Sequence, residues 1–328
     1  MNRLLQEILV ISSVAIGAAA QANLSAIPQQ ASGATETTAR QLGKQDLLDR
    51  IAVYESTTRR AEQTHLAAAT IARLYEHLES LYADDGLYLK AEDAAEQAIA
   101  YLKNGSQVEL AEEFTQCAIL HVLMRNTKQA ERDEMQALRV RKEIGDRVGI
   151  ALAWKDLSGL YDQEQKFPKA LRYAEPAFQV LGNRADVSAD NRAAIRQAFG
   201  FALTATSQCA RGIPMLQESV TLLQTSKGKI GLGVGYAEYL LGVGYWNCGD
   251  RDRAADWLER GTTRMKAGFG WHQTVYVNAM RRYADFLRST GQLEAAATAE
   301  AVINEADAVV DAQSLTGGTE SFLKSQPR

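Results

Sequence analysis

At 328 residues, 46% of them hydrophobic, the chain has the length of roughly two domains and the apolar content to bury a sizeable core. Lys and Arg total 36 against 40 Asp and Glu, a net charge of −4, so it lacks both the basic footprint of a nucleic-acid binder and a strongly acidic tail. Five prolines and 24 glycines exclude a collagen-like or largely disordered chain. Abundant Ala, Leu, Glu and Arg, with few Val/Ile-rich alternating runs, point instead to helices.

In chain order, the first element is an apolar run from Ile8 to Ala20, preceded by Arg3 and followed by Ala20-Gln21-Ala22. Such a run is too short to span a bilayer, which takes ~20 helical residues. With a small-x-small site behind it, it reads as an export signal over residues 1–22. Residues 23–40, rich in Ser, Thr, Gln and Ala without periodicity, are expected to be a flexible linker. Leu47, Leu48, Ile51 and Tyr54 then repeat at helical spacing. A solitary helix over Gln45–Ser56 is expected to cap the apolar end of the first repeat; the alternative is a seventh, degenerate repeat missing its first helix.

From there a fixed-period pattern runs to about residue 312. Its third copy is the fullest: Trp154-x-x-Leu157-Ser158-x-x-Tyr161, then Ala170 and Ala177. Upstream stand Leu78, Tyr82, Gly86, Ala91 and Ala98, then Cys117, Ala118, His121, Ala130 and Ala137. Downstream come Phe199, Gly200, Leu203, Gly212 and Ser219, then Leu241, Gly242, Tyr245, Gly249, Ala254 and Gly261, and last Tyr283, Ala284, Leu287, Gly291 and Ala296. The Leu-type positions 78, 117, 157, 199, 241 and 283 are 39 to 42 residues apart. Within each copy the large residue and the one four along share a helical face. A small residue follows the first of them in five copies, with Glu79 the exception. It lets a second helix approach closely. One such hairpin cannot bury its apolar face alone, so copies must stack.

This pattern resembles the tetratricopeptide repeat. The period near 42 resembles the longer-helix variants of kinesin light chains and some bacterial regulators. The family's repeat-ending proline is missing, and the fourth copy (Gly212, Ser219) and sixth copy (Ile303) depart from its small-residue pattern. The resemblance implies an all-α fold, a right-handed superhelical solenoid of about six hairpins over 41–312. Gly, Asn, Asp and Ser clusters at Asn104-Gly105-Ser106, Gly145-Asp146, Gly182-Asn183, Ser226-Lys227-Gly228 and Gly268-Phe269-Gly270 supply the turns and caps between hairpins. Residues 313–328 read as a flexible tail.

Chemistry is sparse along the chain. His65, His77, His121 and His272 show no metal-ligand spacing, and His121 holds a core position of its repeat. No phosphate loop or nucleophile elbow occurs, and Gly231-Leu232-Gly233-Val234-Gly235 is read as small residues for helix packing. No cofactor or metal is expected, and the repeats occupy so much of the chain that no catalytic domain is expected either. Cys117 sits at a buried repeat position. Cys209 and Cys248 fall at turns of neighbouring copies, and either pair in an oxidising compartment or remain free thiols.

The resemblance also implies that the first helix of each hairpin lines a concave surface that takes peptides or partner segments. In the fifth and sixth copies that frame places Tyr236, Tyr239, Trp246, Asn247, Asn278, Arg281, Arg282, Asp285 and Arg288 there. Aromatics offer rigid contact area and arginines fork onto carboxylates, so a peptide with acidic groups is the expected ligand. The alternative is that the rings pack between helices and the arginines solvate a face. The second to fourth copies present a mixed lining of Thr115, Ile119, Leu152, Gln197 and Phe201 beside Glu112, Lys155 and Asp156. The expected function is an exported (periplasmic or secreted) noncatalytic scaffold for protein or peptide segments, without nucleic acid or a membrane span after signal cleavage. The alternative is a cytoplasmic peptide-sensing regulator.

Overall fold

The computed structural model describes residues 33–227, 232–266 and 273–305, with side chains for 43–226, 233–266 and 275–305. The expected export signal, the first part of the linker, the turn Gly268-Phe269-Gly270 and the tail lie outside the described residues. Everything described is helix or short connection. Contacts divide the chain into two units, Met1–Val53 and Tyr54–Arg328. The described part of the first is helix. It belongs to α1, Gly33–Gln63, so residues 33–40 of the expected linker are helical and the helix is longer at both ends than Gln45–Ser56.

The second unit holds six consecutive hairpins. They are α2 (Ala68–Asp84) with α3 (Tyr88–Leu102), α4 (Gln107–Leu123) with α5 (Thr127–Glu143), and α6 (Arg147–Gln163) with α7 (Phe167–Leu181). Then come α8 (Ala189–Ala205) with α9 (Cys209–Lys227), α10 (Leu232–Asn247) with α11 (Arg251–Lys266), and α12 (Gln273–Ser289) with α13 (293–305). Each hairpin packs on the next, and the first helices α6, α8 and α10 also pack side by side. The unit is an all-α solenoid of stacked hairpins.

One turn chemistry closes all six hairpins. The residue eight past each Leu-type position has positive φ: Gly86, Arg125, Gln165, Ser207, Gly249 and Gly291, between 57° and 82°. The next amide reaches back five residues, from Leu87 to Tyr82, Asn126 to His121, Lys166 to Tyr161, Gln208 to Leu203, Asp250 to Tyr245 and Gln292 to Leu287, at 2.7–3.0 Å. This is the Schellman stop, which uses carbonyls the helix end leaves unpaired. Glycine adopts it without penalty, but Arg125, Gln165 and Ser207 carry a Cβ into the left-handed region. Between hairpins, Ser106, Asp146 and Ser188 cap α4, α6 and α8 by accepting from Glu109, Gly149 and Asn191 amides.

Small residues set the helix-to-helix distance. Ala91, Ala98, Ala130, Ala137, Ala170 and Ala177 are all buried. In the fourth hairpin a Cβ on Gly212 would lie 2.7 Å from the Gly200 carbonyl oxygen, so α8 and α9 meet backbone to backbone. Gly212, which departs from the family's pattern in sequence, therefore marks a closer contact there, and Ser219 is buried with its hydroxyl donating to the Leu216 carbonyl. In the fifth, a Cβ on Gly242 would lie 2.7 Å from the Leu258 amide and one on Gly261 2.4 Å from that of Tyr239. Gly235 packs on Met265, as helix packing requires, while Gly233 faces open space.

A polar contact recurs between hairpins. Where the residue four past the Leu-type position is polar, it pairs with the helix that precedes its own hairpin. His121 Nε2 meets Glu92 at 2.9 Å, Tyr161 donates to Glu131, and Gln217 donates to Tyr245 at 2.9 Å. Tyr82 donates to Glu55 in the same way, at 2.6 Å. The Tyr54–Gln63 stretch of α1 thus occupies the place of a second helix from a preceding hairpin.

Candidate functional site

The first helices converge on one cluster. Asp162 lies at the end of α6, Phe201 on α8, Tyr236 and Tyr239 on α10, and Arg282 on α12. The Arg282 guanidinium stands over the Phe201 ring, 5.1 Å from its centre. Tyr236 and Tyr239 stack with ring centres 6.0 Å apart. Burial pushes the Asp162 carboxyl up to about 7 against the pull of the Arg282 cation, and its Oδ1 is buried without a hydrogen-bond partner. Burial likewise pushes the Tyr236 phenol up to about 12, with Asp162 adding to the rise and Arg282 opposing it. Tyr239 moves upward for the same first reason. A desolvated carboxyl, a cation over an aromatic face and two phenols form a surface that can pair with charged and aromatic groups together.

Among the residues expected from sequence, Tyr236 is partly exposed, while Tyr239 is 4% exposed and forms the wall behind it. Trp246 is partly buried, edge-on to Phe286 with centres 5.6 Å apart. Asn247 is exposed, with its amide 3.4 Å from the Thr204 hydroxyl. Asn278 is exposed and Arg281 partly buried. Arg288 is already matched by Asp285 and by Glu300 at 2.6 Å, so these three form an ion cluster on the exposed edge. The structure therefore brings Tyr236, Tyr239 and Arg282 together, with Asp285 near enough to act on Tyr239 electrostatically while pairing with Arg288 at the exposed edge.

Asp162 was not foreseen, although the frame held a signal for it. The equivalent positions are Ala83, Val122, Thr204, Trp246 and Arg288, so an acid stands alone there. In the second to fourth copies, Ile119 and Glu112 are exposed, Lys155 pairs with Asp156, and Phe201 and Gln197 are buried. Burial pushes the Glu79 and Glu113 carboxyls up, to about 7 and about 9; their mutual contact adds to the rise at Glu113 and opposes it at Glu79. The Cys117 thiol is buried and pushed up beyond the usual thiol range, so it is not a ready nucleophile. Among the described residues no group of three His, Cys, Asp or Glu is arranged to hold a metal ion, and no helix is long and apolar enough to cross a membrane.

Cys209, which opens α9, and Cys248, which follows α10, form a disulfide with Cα atoms 5.8 Å apart. It joins the turns of the fourth and fifth hairpins beside the cluster's α8–α10 wall.

No protein-family model matches the chain, and no curated protein does. Solved structures do. The apo form of RapI superposes with a TM-score of 0.67 at 11% identity, over 83% of this chain and 95% of that one. This chain has the tetratricopeptide-repeat fold. The Rap conjugation gene regulator of plasmid pLS20, in complex with the Phr* peptide, gives 0.64 at 11% identity, over 95% of this chain and 86% of that one. BtubC (BKLC) from P. vanneervenii gives 0.55 at 19% identity, over 68% and 91%. At these identities the likeness is one of fold.

Proposed function

We propose that the chain is a noncatalytic scaffold that binds peptide or protein segments on the first-helix face of its third to sixth hairpins. The observation that carries this reading is the cluster of Asp162, Phe201, Tyr236 and Arg282, which brings four first helices to one point with a buried carboxyl oxygen left unpaired. Tyr239 backs it, and Trp246, Asn247, Asn278 and Arg281 extend it, with Asp285 and Arg288 at the edge. Support comes from the pLS20 regulator, a protein of the same fold that was solved with a peptide. Arg282 suits an acidic group of the ligand, and Asp162 suits a cationic one.

The working compartment is proposed to be outside the cytoplasm. Oxidising conditions preserve disulfides, and Cys209–Cys248 together with the apolar run before Ala22 fits them. A second reading, a cytoplasmic peptide-sensing regulator, rests on the fold shared with the Rap proteins. Fractionation with N-terminal sequencing separates the two. A mature chain beginning near Asn23 supports export, and a chain retaining Met1 in the cytoplasm favours the regulator. For the site, a peptide array is read with wild type, Arg282→Ala and Trp246→Ala. Selected peptides are expected to bind the variants at least about tenfold more weakly. Undiminished binding by both would remove this face as the site.

A further inference from the structure

The solvent face of α5 differs from the outer faces of the other hairpins. Lys128, Arg132, Met135, Arg139 and Lys142 fall within a wedge of about 80° on that helix, in a line roughly 21 Å long. All five are exposed, Met135 by 43%. None of the four cations closes an ion pair among the described residues, whereas Lys166 and Lys169 on the neighbouring hairpin are both matched by glutamates. A shallow hollow of about 460 Å³ runs along the row, lined by Lys128, Arg132, Met135 and Arg139 with Glu131 and Gln136. A generic solvated face would recur from repeat to repeat. Here the equivalent positions carry Asp93 and Glu96 in the first hairpin, and Asp252, Asp256 and Glu259 in the fifth. On a chain of net charge −4, an unmatched basic row confined to one helix is a local feature.

We propose that this row docks an acidic helical segment of another protein, separately from the peptide face on the first helices. Charge complementarity sets the sign of the partner. The row is one helix wide and three to four turns long, which suits a second helix laid along it with carboxylates in facing positions. Met135 at its centre suits one apolar side chain between those carboxylates. A membrane presents a plane, and the acids at equivalent positions of the first hairpin would face it unfavourably. A phosphate backbone offers nothing apolar for Met135.

The test uses the full chain and a fluorescent helix-forming peptide of about 18 residues, with four glutamates spaced to meet the four cations and a leucine between them. At low salt the peptide is expected to bind, and its glutamine counterpart is not. Arg132→Glu combined with Arg139→Glu, both exposed and checked for unchanged helicity, should weaken binding by about tenfold or more, as should about 0.3 M salt. Met135→Ser should weaken it severalfold. Equal binding by the double charge reversal would overturn the proposal. So would tighter binding of the row to vesicles with about 30% phosphatidylserine or to single-stranded RNA. Self-association that the reversal abolishes, with no peptide binding, would overturn it as well.

Discussion

The first two hairpins and the fourth and fifth solve the same packing problem with opposite materials. In α2–α5 the helices are spaced by alanines, and the interior admits charge: Glu79 against Glu113, His121 between Glu92 and Asp133, and Glu134 3.4 Å from Arg141. In α8–α11 the spacers are glycines, the backbones touch, and the space gained is filled by Tyr239, Tyr245, Phe201 and Leu258. Charge is buried in both regions, since Glu238 on α10 is fully buried and accepts from Arg264 on α11 at 2.8 Å. Only the glycine contacts, however, bring backbone against backbone and hold the wall of the aromatic cluster in one register. The region assigned to ligand binding is thus the one built with the least room to adjust.

The largest test of that contrast is the disulfide, which reinforces the glycine-packed region alone. Closing a loop between residues 39 apart constrains the unfolded chain by roughly 4 kcal/mol in the chain-entropy picture. Cys209→Ser with Cys248→Ser is expected to lower stability by about 2–4 kcal/mol in chemical denaturation, and reductant should act on wild type but not on the double variant. If the bridge merely decorates an already rigid region, the two proteins will unfold together. Next in size is Gly261→Ala. The added methyl would sit 2.4 Å from the Tyr239 amide, so α10 and α11 must part, at a cost of about 1–3 kcal/mol. The equivalent Ala98 and Ala137 already carry that methyl while fully buried. Ala137→Gly is therefore expected to cost only about 1 kcal/mol, mainly through helix propensity.

The sequence made this contrast only half visible. Period, helix pairing and turn positions were legible because each depends on a residue type recurring at a fixed offset, as Ala91, Ala130 and Ala170 do. The closeness of α8 and α9 was not, since Gly212 read alone looks like a lapse from the alanine pattern. Only its meeting with Gly200 gives it meaning. Glu79 stood out as the one large residue in a small-residue position, but its partner Glu113 lies on another repeat, beyond the reach of a single-copy frame. Asp162 was hidden for the same reason, because its neighbour Arg282 is three hairpins away. Disulfide geometry needs distances, so spacing alone left Cys209 and Cys248 as two alternatives.

The buried acids of the alanine-packed region give it a pH signature. Carboxyls whose folded values are raised to about 7 and about 9 hold protons the unfolded chain would release near 4.5. Their stabilising share is complete below that unfolded value and is lost as pH rises through the folded ones. Between about pH 5 and pH 9 the first two hairpins should therefore weaken. Glu113→Gln is expected to flatten that decline and to exceed wild type by at least about 1 kcal/mol at pH 9. Amide exchange resolved by hairpin is the measurement, with α8–α11 as the internal reference. A uniform loss along the chain, or an unaltered slope in the variant, would tell against the Glu79–Glu113 contact as its source.

The smallest effects are in the turns, and they cut across the contrast. Arg125, Gln165 and Ser207 hold a left-handed conformation that costs a residue with a Cβ roughly 1–2 kcal/mol. Gly86, Gly249 and Gly291 hold the same one freely. Glycine also gives the unfolded chain more freedom, which offsets part of the gain. Arg125→Gly, Gln165→Gly and Ser207→Gly are thus each expected to stabilise by a net of up to about 1 kcal/mol, while Gly86→Arg should destabilise by a similar amount. The gain should be larger at Arg125 and Gln165 than at Ser207. Ser207 is followed by α9, whose first residue, Cys209, is already held by the disulfide, so relaxing its turn releases less. Equal gains at all three would mean that the Schellman stops are independent of how the helices beyond them are packed.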